Sequence, residues 1–219
     1  MENAYFVTGT DTNVGKTWAT IALMQYFKSC GKTVVGMKPV AAGCMMLDGQ
    51  LKNEDALLIQ ENGSVWLDYD LINPYAYEQP TSPHIAGLGN PADLSVLAVK
   101  YDLLKSQADV VVVEGAGGWY SPLNAQQANS DLAQLLGLPV ILVVAIRLGC
   151  INHARLTYEA ILRSEIKCAG WIAVCTEADL HGEEAIISMI KACITEPLLG
   201  VIPNRTVADF NFFSEQLAL

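Results

Sequence analysis

Tyr5-Phe6-Val7-Thr8-Gly9-Thr10-Asp11-Thr12-Asn13-Val14-Gly15-Lys16-Thr17 decides the fold. A short β-prone run gives way to a loop of small and polar residues, and Gly15-Lys16-Thr17 then opens a helix-spaced stretch over 18–30. Strand, loop and helix start form the context that a Walker A phosphate loop requires. In that geometry successive backbone N–H groups and the helix N-terminus face phosphate oxygens. Lys16 reaches the β and γ phosphates, and the Thr17 hydroxyl can ligate Mg2+. The strict spacing puts the first glycine where this chain has Thr10, with Gly9 one residue earlier, so the match is a variant. It points to an ATP or GTP site.

Outward from this loop, apolar runs of strand length recur at 5–8, 33–38, 110–114, 140–146, 169–174 and 198–201. Helix-spaced apolar residues fill 18–30, 53–60, 94–107, 152–164 and 183–193 between them, and Gly31 sits where a C′ glycine would stop the first helix. Strands this continuously apolar must be covered on both faces. The expected fold is therefore an α/β, single-domain P-loop NTPase-like arrangement over 1–219, with a mostly parallel central sheet and helices on both faces. The stretch 73–90, rich in proline and glycine, reads as an irregular connection holding one short helix at most.

Composition narrows the function. With 52% hydrophobic residues in 219, the chain can bury a single large core. Its 23 acids against 13 bases leave a net charge of −10, which argues against a nucleic-acid partner. Mean hydropathy is +0.29, yet no apolar run approaches the ~20 residues of a membrane helix, and the start Met1-Glu2-Asn3 lacks a signal-peptide pattern. The six cysteines form no CxxC pair and no zinc spacing. Reduced thiols in a cytoplasmic protein are expected.

In a doubly wound sheet, ligands sit beyond the carboxyl ends of the strands. The second strand ends in Lys38-Pro39-Val40-Ala41-Ala42-Gly43, which places an ammonium beside the phosphate loop, although a strand-end lysine taken alone is commonly solvated. The third ends in Glu114-Gly115-Ala116-Gly117-Gly118, and an acid leaving a hydrophobic strand resembles a Walker B group that holds Mg2+. Asp55 follows a plausible N-cap, Asn53, and fits either a helix-dipole partner or a magnesium ligand. Arg147-Leu148-Gly149-Cys150-Ile151-Asn152-His153 leads from a strand into a helix whose free N–H groups can receive a carboxylate or phosphate. His153 by itself reads as a packed or surface histidine.

Taken together, these blocks resemble the dethiobiotin synthetase family, ATP-dependent enzymes of biotin synthesis. The resemblance rests on residues 5–12, Val14-Gly15-Lys16-Thr17, Lys38-Pro39-Val40-Ala41, Pro80-Thr81-Ser82-Pro83-His84, Val113-Glu114-Gly115-Ala116-Gly117-Gly118 and Leu148-Gly149-Cys150-Ile151-Asn152-His153-Ala154, with Pro197-Leu198-Leu199-Gly200 and Ile202-Pro203 near the end. It implies that CO2 adds to an amine of 7,8-diaminopelargonic acid. The resulting carbamate attacks the γ-phosphate of ATP, and the second amine closes the ureido ring and expels phosphate.

By the same resemblance, Lys38 and Lys16 are catalytic, and Thr17, Asp55 and Glu114 hold Mg2+. ATP would lie against Thr12, Asn13, Val14, Gly15, Lys16 and Thr17, against Gly115, Ala116 and Gly117, and against Pro203, Asn204 and Arg205. Substrate would meet Thr12, Lys38, Ala42, Gly118 and, from the neighbouring subunit of a homodimer with its sites at the interface, Gly149, Cys150, Ile151, Asn152 and His153. No nucleic acid or membrane partner is implied. On this reading Lys38→Ala stops turnover and largely spares the fold.

Three departures from the family pattern stand out. Asn13 replaces an acid in the phosphate loop, and Ala42 replaces a serine. Val174 and Cys175 follow Gly170-Trp171-Ile172-Ala173 where an asparagine that reads the adenine edge is expected. Looser base selectivity follows, unless Asn204 substitutes. Two other readings compete. Partition or septum-positioning ATPases carry an early lysine in the phosphate loop, which Thr10 to Asn13 lack, and cobyrinate-type amidoligases need a glutaminase domain for which 219 residues leave little room. The tail 206–219 carries Phe210, Phe212 and Phe213 and is expected to pack on the body rather than on nucleotide.

Overall fold

A computed structural model describes residues 3–219. In chain order the elements are β1 (Ala4–Gly9), α1 (Lys16–Ser29), β2 (Val34–Met37), β3 (Val40–Ala42), β4 (Met45–Leu47), β5 (Gln50–Lys52), α2 (Glu54–Glu61), α3 (Tyr69–Ile72), β6 (Tyr75–Tyr77), α4 (Pro83–Ala86), α5 (Leu94–Lys105), β7 (Val110–Gly118), α6 (Asn129–Leu136), β8 (Val140–Ile146), α7 (Cys150–Arg163), β9 (Cys168–Cys175), α8 (Glu183–Cys193), β10 (Leu198–Ile202) and α9 (Phe210–Glu215). The main sheet has six strands in the order β10-β9-β8-β1-β7-β2. Every neighbouring pair in it is parallel.

The six apolar runs legible in the sequence are these six strands. β1 and β8 are buried at every position, because helices cover both faces. Chain order reverses around β1: the chain leaves β1 for β2, returns through β7 on one side of β1, and continues to β8 on the other. The phosphate loop after β1 thus opens at the switch point, where the carboxyl ends of β1, β7 and β8 splay around a crevice.

Three local features differ from the sequence reading. The third strand does not stop at Glu114. It continues to Gly118, with a register shift between Val7 and Gly9 of β1. Glycine and alanine present no bulk to that neighbour, and buried Asn129 holds the segment by accepting from the Ala116 N–H (3.2 Å) and donating to the carbonyls of Ala116 (2.6 Å) and Gly118 (2.8 Å). The short β3–β6 pair and the β4–β5 hairpin carry too few residues for a readable period. Helix α6 lies in a stretch not assigned from the sequence.

Other readings held. Gly31 takes φ +75° just past α1, and its N–H donates to the Lys28 carbonyl. The 73–90 stretch contains one four-residue helix, α4, as expected, and also the three-residue strand β6, which was not. The aromatic tail packs as α9 on α1, with Phe213 fully buried and stacked on Trp18 at 5.3 Å between centroids. All six cysteines are free thiols. Among the described residues no helix is long and apolar enough to cross a membrane.

Candidate active site

The phosphate loop owes its shape to two left-handed residues, Asn13 (φ +57°) and Gly15 (φ +85°). Asparagine tolerates that region and glycine enters it freely. At Gly15 a side chain is also excluded by space, since a Cβ would lie 2.7 Å from Val174 Cγ1. Gly15 caps α1 without a side-chain acceptor, which leaves the first amides of the helix for a ligand. Lys16 is buried and folds back onto its own loop, donating to the Asp11 carbonyl at 2.9 Å. Burial first, and the Lys38 charge second, lower its pKa to about 8. The Asp11 carboxylate accepts from the Thr12 N–H at 2.7 Å and pairs with Arg147 at 3.1 Å.

Four side chains, three from α1, α2 and β7 and one from just beyond β2, meet beside the loop. Glu114 of β7 is fully buried. Its Oε1 accepts from the Thr17 hydroxyl at 3.1 Å and, more closely, from Lys38 Nζ. Lys38 Nζ also donates to Asp55 Oδ2 at 3.0 Å. Burial alone would lower the Lys38 pKa, but the Glu114 and Asp55 charges outweigh it and hold the ammonium above the ordinary lysine value. The same pairing holds the Asp55 carboxyl below its usual value, although burial pushes the other way. Lys38 is therefore not a solvated lysine: it is 5% exposed and doubly paired. Asp55 belongs to this cluster as well as to the first turn of α2, where Asn53 is the N-cap and accepts from the Ala56 N–H at 3.3 Å.

Two carboxylates and a hydroxyl are hard oxygen donors of the kind Mg2+ prefers. Glu114 Oε2 is buried with no hydrogen-bond partner among the described residues, which leaves its lone pairs free for a cation or a donor. No group of three or more His, Cys, Asp or Glu among the described residues can hold a metal. The set Thr17, Asp55 and Glu114 thus fits a cation that brings further ligands with it, such as phosphate oxygens or water.

These groups open into one cavity of about 960 Å3, as large as the clefts that take drug-sized ligands. Of the residues expected from the sequence, Thr12, Asn13, Val14, Gly15, Lys16, Thr17, Lys38, Ala42, Asp55, Glu114, Ala116, Gly117, Asn204 and Arg205 line it. Pro203, Gly115 and Gly118 are not in its wall. A Cβ on Gly115 would press on Asn129 and Phe6, so that glycine serves packing, and the Gly118 N–H donates to Ser121 Oγ at 2.8 Å. Residues 149–153 are also outside it: they form the uncapped N-terminus of α7, with Leu148 beside them 92% exposed.

Sequence reading missed Trp18, Asn53 as a wall residue, and Ser121. Residues 80–83, quoted only as a motif, form another part of the wall. The far end is Val174, Cys175 and Thr176 together with Arg205, whose guanidinium lies 3.8 Å over the Phe212 ring. Only spatial proximity, across more than a hundred residues of chain, gathers these groups.

Residues 3–210 match a family model described as an AAA domain. The chain is 45% identical over 207 residues to the "ATP-dependent dethiobiotin synthetase BioD" of Pseudescherichia vulneris, covering 93% of this chain and 85% of that one. It is 46% identical to "ATP-dependent dethiobiotin synthetase BioD 1" of Escherichia coli K12 (93% and 91% covered), and 43% to the Xanthomonas campestris synthetase (99% and 97%). Among solved structures, the MinD cell division protein of Aquifex aeolicus superposes with a TM-score of 0.61 at 16% identity, covering 98% of this chain and 88% of that one, a likeness of fold alone. Phosphate loop, buried Glu114 and 43–47% identity over nearly the whole chain agree: the chain belongs to the dethiobiotin synthetase family.

Proposed function

We propose that this chain converts 7,8-diaminopelargonic acid, CO2 and ATP into dethiobiotin, ADP and phosphate, the ATP-dependent ring closure of biotin synthesis. The observation that carries the reading is the meeting of Lys16, Thr17, Lys38, Asp55 and Glu114 on one cavity, in a chain 43–47% identical to named synthetases.

CO2 adds to one amine, which loses a proton to become a carbamate. A carbamate oxygen then displaces ADP from the γ-phosphorus, giving a carbamic-phosphoric anhydride. The second amine attacks the carbonyl carbon, loses its proton, and expels phosphate as the ring closes. No step needs a nucleophile on the protein, and the cavity offers no activated thiol: burial pushes Cys175 up to about 12. The chain's task is positioning and charge neutralisation.

Lys16 leaves the Asp11 carbonyl for the β and γ phosphates, where the uncapped amides of α1 add their dipoles. Lys38, fixed between two carboxylates, presents its ammonium to the carbamate and the transferring phosphoryl group. Thr12 and the backbone at Ala116 and Gly117 lie along the same wall for substrate. Thr17, Asp55 and Glu114 are the residues to hold Mg2+, which supplies neutralisation of the phosphate oxygens when bound.

The substrate carboxylate is received at the α7 N-terminus, residues 149–153, of a neighbouring copy in a homodimer. The position of that turn outside its own subunit's cavity supports this, as do its uncapped amides. The six free thiols suit a cytoplasmic setting. At the far end of the cavity Val174 and Cys175 provide no side-chain amide to read a base, so nucleotide selectivity is looser than adenine-only unless Asn204, on the same wall, substitutes.

The test is phosphate release from ATP, Mg2+ and bicarbonate with and without the diamine. Release is expected only with it. Release that ignores the diamine refutes the synthetase reading and leaves a switch-type ATPase.

A further inference from the structure

Lys38 and Asp55 must be held at a fixed spacing, yet no strand or helix contains both. Lys38 lies one residue beyond β2, the edge strand of the main sheet, which has β7 on one side and no further strand of that sheet on the other. Asp55 lies in the first turn of α2, after the β4–β5 hairpin.

A third segment, outside the cavity wall, ties them together. The Lys38 N–H donates to the Ile72 carbonyl at 2.8 Å, and the Lys38 carbonyl accepts from Asn73 Nδ2 at 2.6 Å. Asn73 Oδ1 in turn accepts from the Tyr69 hydroxyl at 2.9 Å. That same hydroxyl oxygen accepts from the Asn53 N–H at 2.8 Å, the residue that caps α2. With the Lys38–Asp55 ion pair at 3.0 Å the path closes into a ring: Lys38, Asn73, Tyr69, Asn53, Asp55 and back to Lys38.

We propose that Tyr69 and Asn73 are positioning residues that set the spacing of Lys38 and Asp55 for the transfer step. The inference rests on the role given to Lys38 above. Both side chains are buried, at 7% and 2% exposure, and neither lines the cavity, so they act through the pair and not on substrate. Asn73 Nδ2 also reaches the Tyr75 carbonyl at 3.4 Å, which fixes which way the amide faces. Burial pushes the Tyr69 hydroxyl up to about 12, so it remains a donor to Asn73 across the working pH range. Small misplacements remote from the chemistry are known to cost up to about a hundredfold in rate.

The experiment compares Tyr69→Phe, which keeps the ring and removes the hydroxyl, with Asn73→Asp, which keeps the acceptor for Tyr69 and removes the donor to Lys38. Turnover is measured at saturating ATP and diaminopelargonate and normalised to folded protein by thermal unfolding. Each single variant is expected to lose about tenfold or more in kcat, with the KM for ATP unchanged within about twofold. Because the two links lie in series, the double variant is expected to be no slower than the worse single. A folded single variant whose kcat stays within twofold of the parent overturns the proposal, as do losses that multiply in the double variant or fall on the KM for ATP. Lys38→Met is run alongside. If it keeps turnover, the role of Lys38 fails; if it loses turnover while both single variants keep theirs, only the positioning inference fails.

Discussion

Replacing Lys38 by methionine tests why a carboxylate can sit fully buried on the third strand. The substitution keeps much of the side chain's length and removes its charge. Glu114 then retains the Thr17 hydroxyl at 3.1 Å, while its Oε2 already lacks a partner among the described residues. Removing one member of a buried pair costs about 3–5 kcal/mol, because the other charge is left uncompensated. At about 2–4 °C per kcal/mol for a chain of this size, Tm should fall by roughly 6–20 °C. The sequence alone expects substitution of Lys38 to spare the fold; the burial of Glu114 argues that it does not. Adding Glu114→Gln removes the stranded charge, so the double variant should recover most of the loss. Thermal unfolding followed by circular dichroism, near neutral pH and with chelator present, reads both numbers. A single variant within about 2 °C of the parent, or a double variant as unstable as the single, would show that the ion pair is not what permits Glu114 to be buried.

Three further outcomes follow from other parts of the site. Lys16, lowered to about 8, is charged below that pH, and phosphate binds the charged form; ATP affinity should therefore fall by up to about tenfold per unit above pH 8. Without ligand the sign reverses for stability: between about 8 and 10.5 the unfolded chain holds the proton and the folded one does not, so this group's contribution rises with pH. Calorimetric titration of ATP either side of pH 8 checks the first, and a flat profile sinks it. For the base, comparable kcat/KM is expected for ATP and at least one other nucleoside triphosphate, and a hundredfold preference for ATP would contradict the reading of Val174 and Cys175.

Much of the site was legible because phosphate-loop chemistry is local. The loop's amides, Lys16 and Thr17 lie within one turn of chain, and the strand before it and helix after it are short-period patterns. Lys38 and Glu114 were legible for a similar reason, as charged residues just beyond or within apolar strands that a doubly wound sheet turns toward one edge. Asp55 was half legible: its capping context could be read, while its ion pair with Lys38, across the gap between β2 and α2, could not. Asn129, Tyr69 and Asn73 left no signal, since a lone polar residue near a helix or turn looks the same whether it faces water or bridges two backbone segments.

The sequence by itself thus determined the parallel sheet, through continuously apolar strands spaced by helices, and the phosphate-binding chemistry, through a strand-loop-helix motif whose donors are neighbours in the chain. Tertiary structure alone decided which charges neutralise one another, that the lysine beyond the second strand is buried and not solvated, and that the turn at 149–153 lies outside the cavity wall. The division has a physical cause. Periodicity and capping act over a few residues and leave a pattern in the chain. Ion pairing and amide bridging depend on distances between residues far apart in sequence, and these are fixed only when the sheet forms and its edges are closed.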